Sequence, residues 1–281
     1  MAVDGIQKRQ SARCDSQWLI GSQLATRMAG ITAKRPTANH RSIIIASGLF
    51  LVGLLALTPA LRAQSRTTLE LLPQFSWNGE LDNRWSWSLN TSLESDISEK
   101  IEGRAAQTAF STHTYNLQGG LAYQWTNSLD LSGGYQFGWR DLDEDEKDIE
   151  HRFLQQLSWA GRWEKYRLRV RGRTEQRFFR SNSWQARHRW RLRGALDFPL
   201  QGERLDPGET YLNLQSEWLA NVFEEAALAN RETRLYAGLG WLINGPYRLE
   251  NGLEWRTRLS GAENNRRHRL IFRLTFTFNW P

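Results

Sequence analysis

Beyond residue 64, polar and apolar residues alternate one by one over segment after segment. In RWSWSLNTSLES, Trp85, Trp87, Leu89, Thr91 and Leu93 interleave with Arg84, Ser86, Ser88, Asn90 and Glu94. Tyr115, Leu117, Leu121, Tyr123 and Trp125 repeat the pattern against Asn116, Gln118 and Gln124, and Leu129, Leu131, Tyr135, Phe137 and Trp139 share the next face. Phe153, Leu157 and Trp159 continue it. Side chains of a strand point alternately to its two faces, so each segment predicts a strand with one apolar and one polar face.

The later segments are sharper. Arg167, Arg169, Arg171, Arg173, Glu175 and Arg177 occupy one face, with Leu168, Val170 and Gly172 opposite. Arg187, Arg189, Arg191 and Arg193 then oppose His188, Trp190 and Leu192. Asn213, Gln215 and Glu217 oppose Leu212, Leu214 and Trp218, and Arg234 and Tyr236 oppose Leu235, Leu239 and Trp241. Arg248, Glu250, Glu254, Arg256 and Arg258 oppose Leu249, Leu253, Trp255 and Leu259. The chain ends HRLIFRLTFTFNWP, in which Leu270, Phe272, Leu274, Phe276, Phe278 and Trp280 line one face and Arg269 and Arg273 the other.

Rows of arginine cannot fill a soluble sandwich core, because unpaired buried charge is too unfavourable. In a water-soluble sheet the arginines would face solvent. A barrel in lipid inverts this: apolar side chains face out and polar ones face the lumen. The recurring segments of about 10 to 14 residues suit tilted spanning strands. Connections near residues 126, 161 and 244 are short, whereas those near 145, 181, 225 and 262 are longer or more charged, as for inner turns and outer loops. The 197 to 208 connection is the exception, long yet on the inner side. The expected fold is an all-β, antiparallel transmembrane barrel of about ten to twelve strands. Ten strands count back from the C-terminus to Arg84. Residues 64–83, with Leu69, Leu71, Phe75 and Trp77 alternating, are a separate N-terminal segment or a first strand that would make the count odd. A further strand near 100–112 would restore an even number.

The run IIIASGLFLVGLLALT at 43–58 follows Lys34, Arg35 and Arg41 and is broken by Pro59. At about 16 residues it is short of the roughly 20 that span a bilayer. It has the basic, apolar, small-residue order of a secretory signal, cleaved after Ala63 or Ala60. Met28 would start a leader of ordinary proportions. Residues 1–63 are thus read as a removed leader and 84–281 as the barrel.

This division changes what the charge means. The whole chain carries +7. The first 63 residues hold eight basic and two acidic residues, which leaves 29 basic and 28 acidic, a net of +1. A nucleic-acid partner loses its support. The one cysteine, Cys14, also lies in the leader, so no disulfide or thiolate-metal framework is available to the rest. Thirteen of the 14 tryptophans lie outside it. Trp85, Trp87, Trp125, Trp139, Trp159, Trp190, Trp218, Trp241, Trp255 and Trp280 are expected at the lipid interface, where an amphipathic ring is favoured.

Residues 66–280 resemble a bacterial outer-membrane family, domain of unknown function 2490. The likeness rests on Glu150-x-Arg152 with Gln156, Arg171-x-Arg173-x-Glu175-x-Arg177, Arg187-x-Arg189-x-Arg191, Glu217 before an apolar residue, and Asn230-Arg231 before a Gly-rich strand. It implies a small monomeric barrel and brings no activity or cofactor. The closing aromatic strand resembles the signal read by outer-membrane assembly machinery, departing from it in Trp280 for the commoner Phe and in the extra Pro281.

Two functions fit the inward rows, and a third, enzymatic one would need groups near the outer rim or lipid face and is not expected. Arg and Glu on neighbouring strands can pair and fill a narrow interior. Excess Arg can instead select anions. A lipid-modifying enzyme would need a nucleophile and base; the later histidines, His113, His151, His188 and His268, sit in no nucleophile motif, and only His113, at an expected loop edge, merits a test. No His pair has metal-ligand spacing. The acidic run Asp141 to Glu146 reads as a solvated loop that could attract Ca²⁺. No cofactor is expected.

Overall fold

The structure, a computed structural model, describes residues 65–101, 105–142, 148–180, 183–222, 231–243, 246–260 and 265–280. The leader, with Cys14, Met28 and both cleavage sites, lies outside them, as do Asp143 to Glu146, Asn230 and Pro281.

The alternating segments become eleven strands: β1 (Ser65–Glu80), β2 (Trp85–Ile101), β3 (Gln107–Thr126), β4 (Leu129–Arg140), β5 (Asp148–Trp163), β6 (Tyr166–Arg180), β7 (Trp184–Pro199), β8 (Thr210–Val222), β9 (Arg231–Leu242), β10 (Tyr247–Ser260) and β11 (Asn265–Trp280). Each pairs antiparallel with the next. β1 also pairs with β11, in parallel, from Ser65↔Arg266 to Gly79↔Trp280, and this closes the barrel. Eleven strands fall within the expected ten to twelve; what is corrected is the wholly antiparallel pairing, at this one seam. Residues 65–80 are a wall strand, and an up-and-down ring with eleven members must contain one parallel neighbour pair. Closure leaves no open sheet edge.

At one end the β1–β2, β3–β4 and β5–β6 turns are compact, whereas the β7–β8 connection at the same end runs through residues 200–209. Glu164-Lys165 joins β5 to β6, with Glu164 at φ 54°. Between β1 and β2, the Asp82 carboxylate accepts the N–H groups of Arg84 (2.7 Å) and Trp85 (2.8 Å). These two backbone donors hold its carboxyl below the usual range.

The faces sort as the alternation requires. Outside, large apolar side chains such as Leu121, Leu157, Leu192, Leu239 and Leu253 remain about half exposed. Inside, Glu70, Glu150, Glu175, Glu217, Arg152 and Arg256 are buried. Three glycines make room for inward tyrosines. A Cβ on Gly240 would stand 2.5 Å from the Tyr211 hydroxyl, and one on Gly252 2.9 Å from the Tyr236 ring; a Cβ on Gly238 would also meet Tyr236. The rings lie over bare backbone, which narrows the interior.

Candidate functional site

The inward rows form two chains of ion pairs. The first runs over β4 to β8. Glu150 accepts from Arg140 (2.5 Å), Arg152 (2.8 Å) and Arg177 (2.6 Å). Glu175 binds Arg189 (2.6 Å) and Arg191 (2.9 Å), with Arg173 and Arg152 at 3.8 and 3.9 Å. Arg191 reaches on to Glu217 (2.8 Å), which also binds Arg171 (2.7 Å) and Arg193 (3.2 Å). Thus Arg152 spans two carboxylates, and so does Arg191. Strand spacing explains the pattern: neighbouring strands lie about 4.8 Å apart, so long guanidinium side chains one or two strands away reach a common carboxylate.

The second chain lies on β10, β11, β1 and β2. Arg273 joins Glu250 (3.4 Å) to Glu254 (2.9 Å), and its guanidinium stands 3.5 Å from the centre of the Tyr236 ring. Arg256 joins Glu254 to Glu94, and Arg269 joins Glu94 (2.7 Å) to Glu70. Tyr211 donates to Glu250 (2.8 Å) across β9. Asp197 accepts from Arg169 (2.7 Å) and from Asn213. Arg234 pairs with Glu232 at 2.5 Å on its own strand.

The residues expected to line the lumen share these faces. Arg258 is exposed and Arg187 half-exposed, both towards the long-loop end. Arg187, Arg140 and Arg177 gather round the inward Phe179 ring at 5.3, 5.6 and 4.6 Å. Sequence reasoning missed Glu70, Arg140, Asp197 and Glu232, and it gave Glu94 no ionic role. Glu94 was already in the two-residue count; the other four could have been found by extending that count along β1 and to the ends of β4, β7 and β9.

Of the ten expected interface tryptophans, eight are exposed, and Trp87 and Trp255 are half-buried. Trp190, Trp218 and Trp255 sit well inside their strands rather than at a rim. Gly172 and Gly194, near Trp190 in the register, carry no side chain and have open space outside them.

His113 is not at a loop edge. It is the extra residue of a bulge in β3, between Thr112↔Ser95 and Thr114↔Glu94. The bulge re-aims the side chain. Its Nε2 lies 3.8 Å from Glu94 and its Nδ1 3.7 Å from Asp96. A catalytic base needs one nitrogen on a nucleophile; here both face carboxylates. Ligand atoms of Glu70, Asp96 and His113 also lie within 4.8 Å of one another. Arg269 already holds both Glu70 oxygens, so a cation there would compete with a guanidinium.

Among solved structures, the barrel is similar to the crystal structure of the siderophore receptor PirA from Pseudomonas aeruginosa. The identity is 16%, over 64% of this chain and 34% of that one, with a TM-score of 0.32. The chain thus spans about a third of that receptor's length. No curated protein matches it in sequence. Residues 69–267, most of the chain and nearly all of the barrel, match the family described as protein of unknown function (DUF2490). This chain of alternating strands closed round paired Arg and Glu belongs to the DUF2490 family.

Proposed function

We propose that the protein is an integral barrel of the bacterial outer membrane, exported by a cleaved leader, with an interior that is a structural plug of paired charges rather than an open pore. Lipid surrounds its apolar outer face, and β11 is the strand read by the assembly machinery. The supporting observation is the ion-pair ladder. Glu150, Glu175 and Glu217 are almost wholly buried, and each is shared among three or more guanidiniums. Such carboxylates tie neighbouring strands together along the inner wall and leave little charge for a passing solute.

A second reading, a narrow anion-selective channel, draws on one observation. The Nε atoms of Arg169, Arg171, Arg248 and Arg273 are buried without a hydrogen-bond partner, so donors remain for an anion. Planar-bilayer recording of the refolded protein separates the two. The plug predicts silence across salts and voltages, whereas reproducible anion-selective steps would replace it with the channel.

A further inference from the structure

The outward face of β3 to β7 differs from the rest of the wall. Gly119, Gly133 and Gly172 point outward there and floor a groove of about 1440 Å³. Tyr135, Phe153, Leu157, Trp190, Leu192 and Trp218 wall it. On its edge, halfway along the strands, lie Gln155 and Thr174, directly paired across β5 and β6. Gln155 and Gln176 exchange hydrogen bonds of 3.1 and 3.0 Å, and Thr174 donates to Gln155 at 2.8 Å. Each amide donates one N–H in this exchange and keeps a second. On a face turned to hydrocarbon, an unmatched donor is costly and calls for an acceptor.

We infer that this groove is a specific binding site for a membrane lipid, with acyl chain on the glycine floor and an ester, amide or hydroxyl oxygen of the lipid accepting from Gln155, which Gln176 and Thr174 hold in place. The inference rests on the outer-membrane reading. A lipid fits because the lining is itself amphiphilic: a bare apolar track beside a compact group of hydrogen-bond donors. A second barrel would have to seat a convex wall in the same track.

The glycines make the test clean. A Cβ at Gly119 or Gly172 meets nothing within 4 Å, so Gly119→Leu and Gly172→Leu start without a clash and place their side chains in the groove. Detergent-solubilised protein is loaded with phosphatidylethanolamine and analysed by native mass spectrometry. Wild type retains discrete lipid adducts; the double leucine variant retains about tenfold less. Gln155→Leu, which leaves the groove open, weakens retention of the ester lipid but not of an ether analogue lacking the carbonyl. Equal retention in all variants, adducts of detergent mass only, or a dimer that the leucines abolish would each overturn the lipid site. Heat-dependent gel mobility is read on the same samples. If wild type shows no such shift, it is the membrane-barrel reading that fails; a shift with no lipid difference defeats only the groove.

Discussion

Replacing Glu175 by Gln tests whether the lumen is dry and locked. The substitution keeps shape and removes one negative charge from a side chain that is 0% exposed. Arg189 loses its ion pair at 2.6 Å, Arg191 loses one of its two carboxylates at 2.9 Å while keeping Glu217, and Arg173 and Arg152 lose a compensating charge just under 4 Å away. Removing one side of a buried pair costs about 3–5 kcal/mol. The amide oxygen still accepts one bond, which places the expected loss near the lower end, about 3 kcal/mol. The assay is urea unfolding of the barrel in lipid vesicles, followed by the mobility of the folded band. Glu203→Gln, on the exposed β7–β8 connection, should change stability by less than about 0.5 kcal/mol. Adding Arg189→Gln to Glu175→Gln should restore part of the loss, because it removes an orphaned charge. A loss below about 1 kcal/mol, the range of solvated surface pairs, would refute the reasoning and mean that water already screens the ladder.

Other residues give independent readings. Gly240→Ala drives a methyl into Tyr211, and should destabilise the same folded band by about 1–3 kcal/mol. Tyr211→Phe, which loses only the bond to Glu250, should cost about 1 kcal/mol; a larger loss than Gly240→Ala would contradict the packing argument. Asp82→Ala removes the acceptor for two turn N–H groups and should slow folding of the β1–β2 hairpin in a refolding time course while leaving lumen-sensitive measurements unchanged. Joint replacement of Phe278 and Trp280 by Ala should reduce the fraction assembled in cells more than it reduces refolding into vesicles. Equal reduction in both would assign those rings to stability rather than to the assembly machinery.

Most of the wall was legible because period two is a strong local signal. The row Arg187 to Arg193 with Trp190 opposite admits no other element, and β7 has that phase. Which strand meets which is not local. Alternation in Leu69, Leu71 and Phe75 reads the same upwards or downwards, so the parallel seam with residues about 200 positions away left no trace in the segment itself. Bulges also escape a two-residue count. The extra residue at His113 shifts the phase of β3 against β2 and brings an imidazole to Glu94 and Asp96. The ladder's charges were visible, but not their sharing. That Arg191 serves two carboxylates depends on strand stagger, which only the closed ring sets.

The seam between β1 and β11 is a matter of parity. A ring of strands that alternate in direction can be coloured in two colours only if its number is even; with eleven, two like-coloured neighbours must touch. Adding or deleting a whole hairpin conserves that parity, so such a change would keep the seam, and only a single strand gained or lost would remove it. The same parity separates the ends of the wall. Ser65 opens β1 at one mouth and Trp280 closes β11 at the other, a strand length of 16 residues, roughly 50 Å along the chain, away. Fusions before residue 65 and after residue 280 therefore emerge at opposite mouths. A circular permutant would need a linker running the full height of the barrel, and the packed ladder of Arg and Glu leaves it no easy route inside.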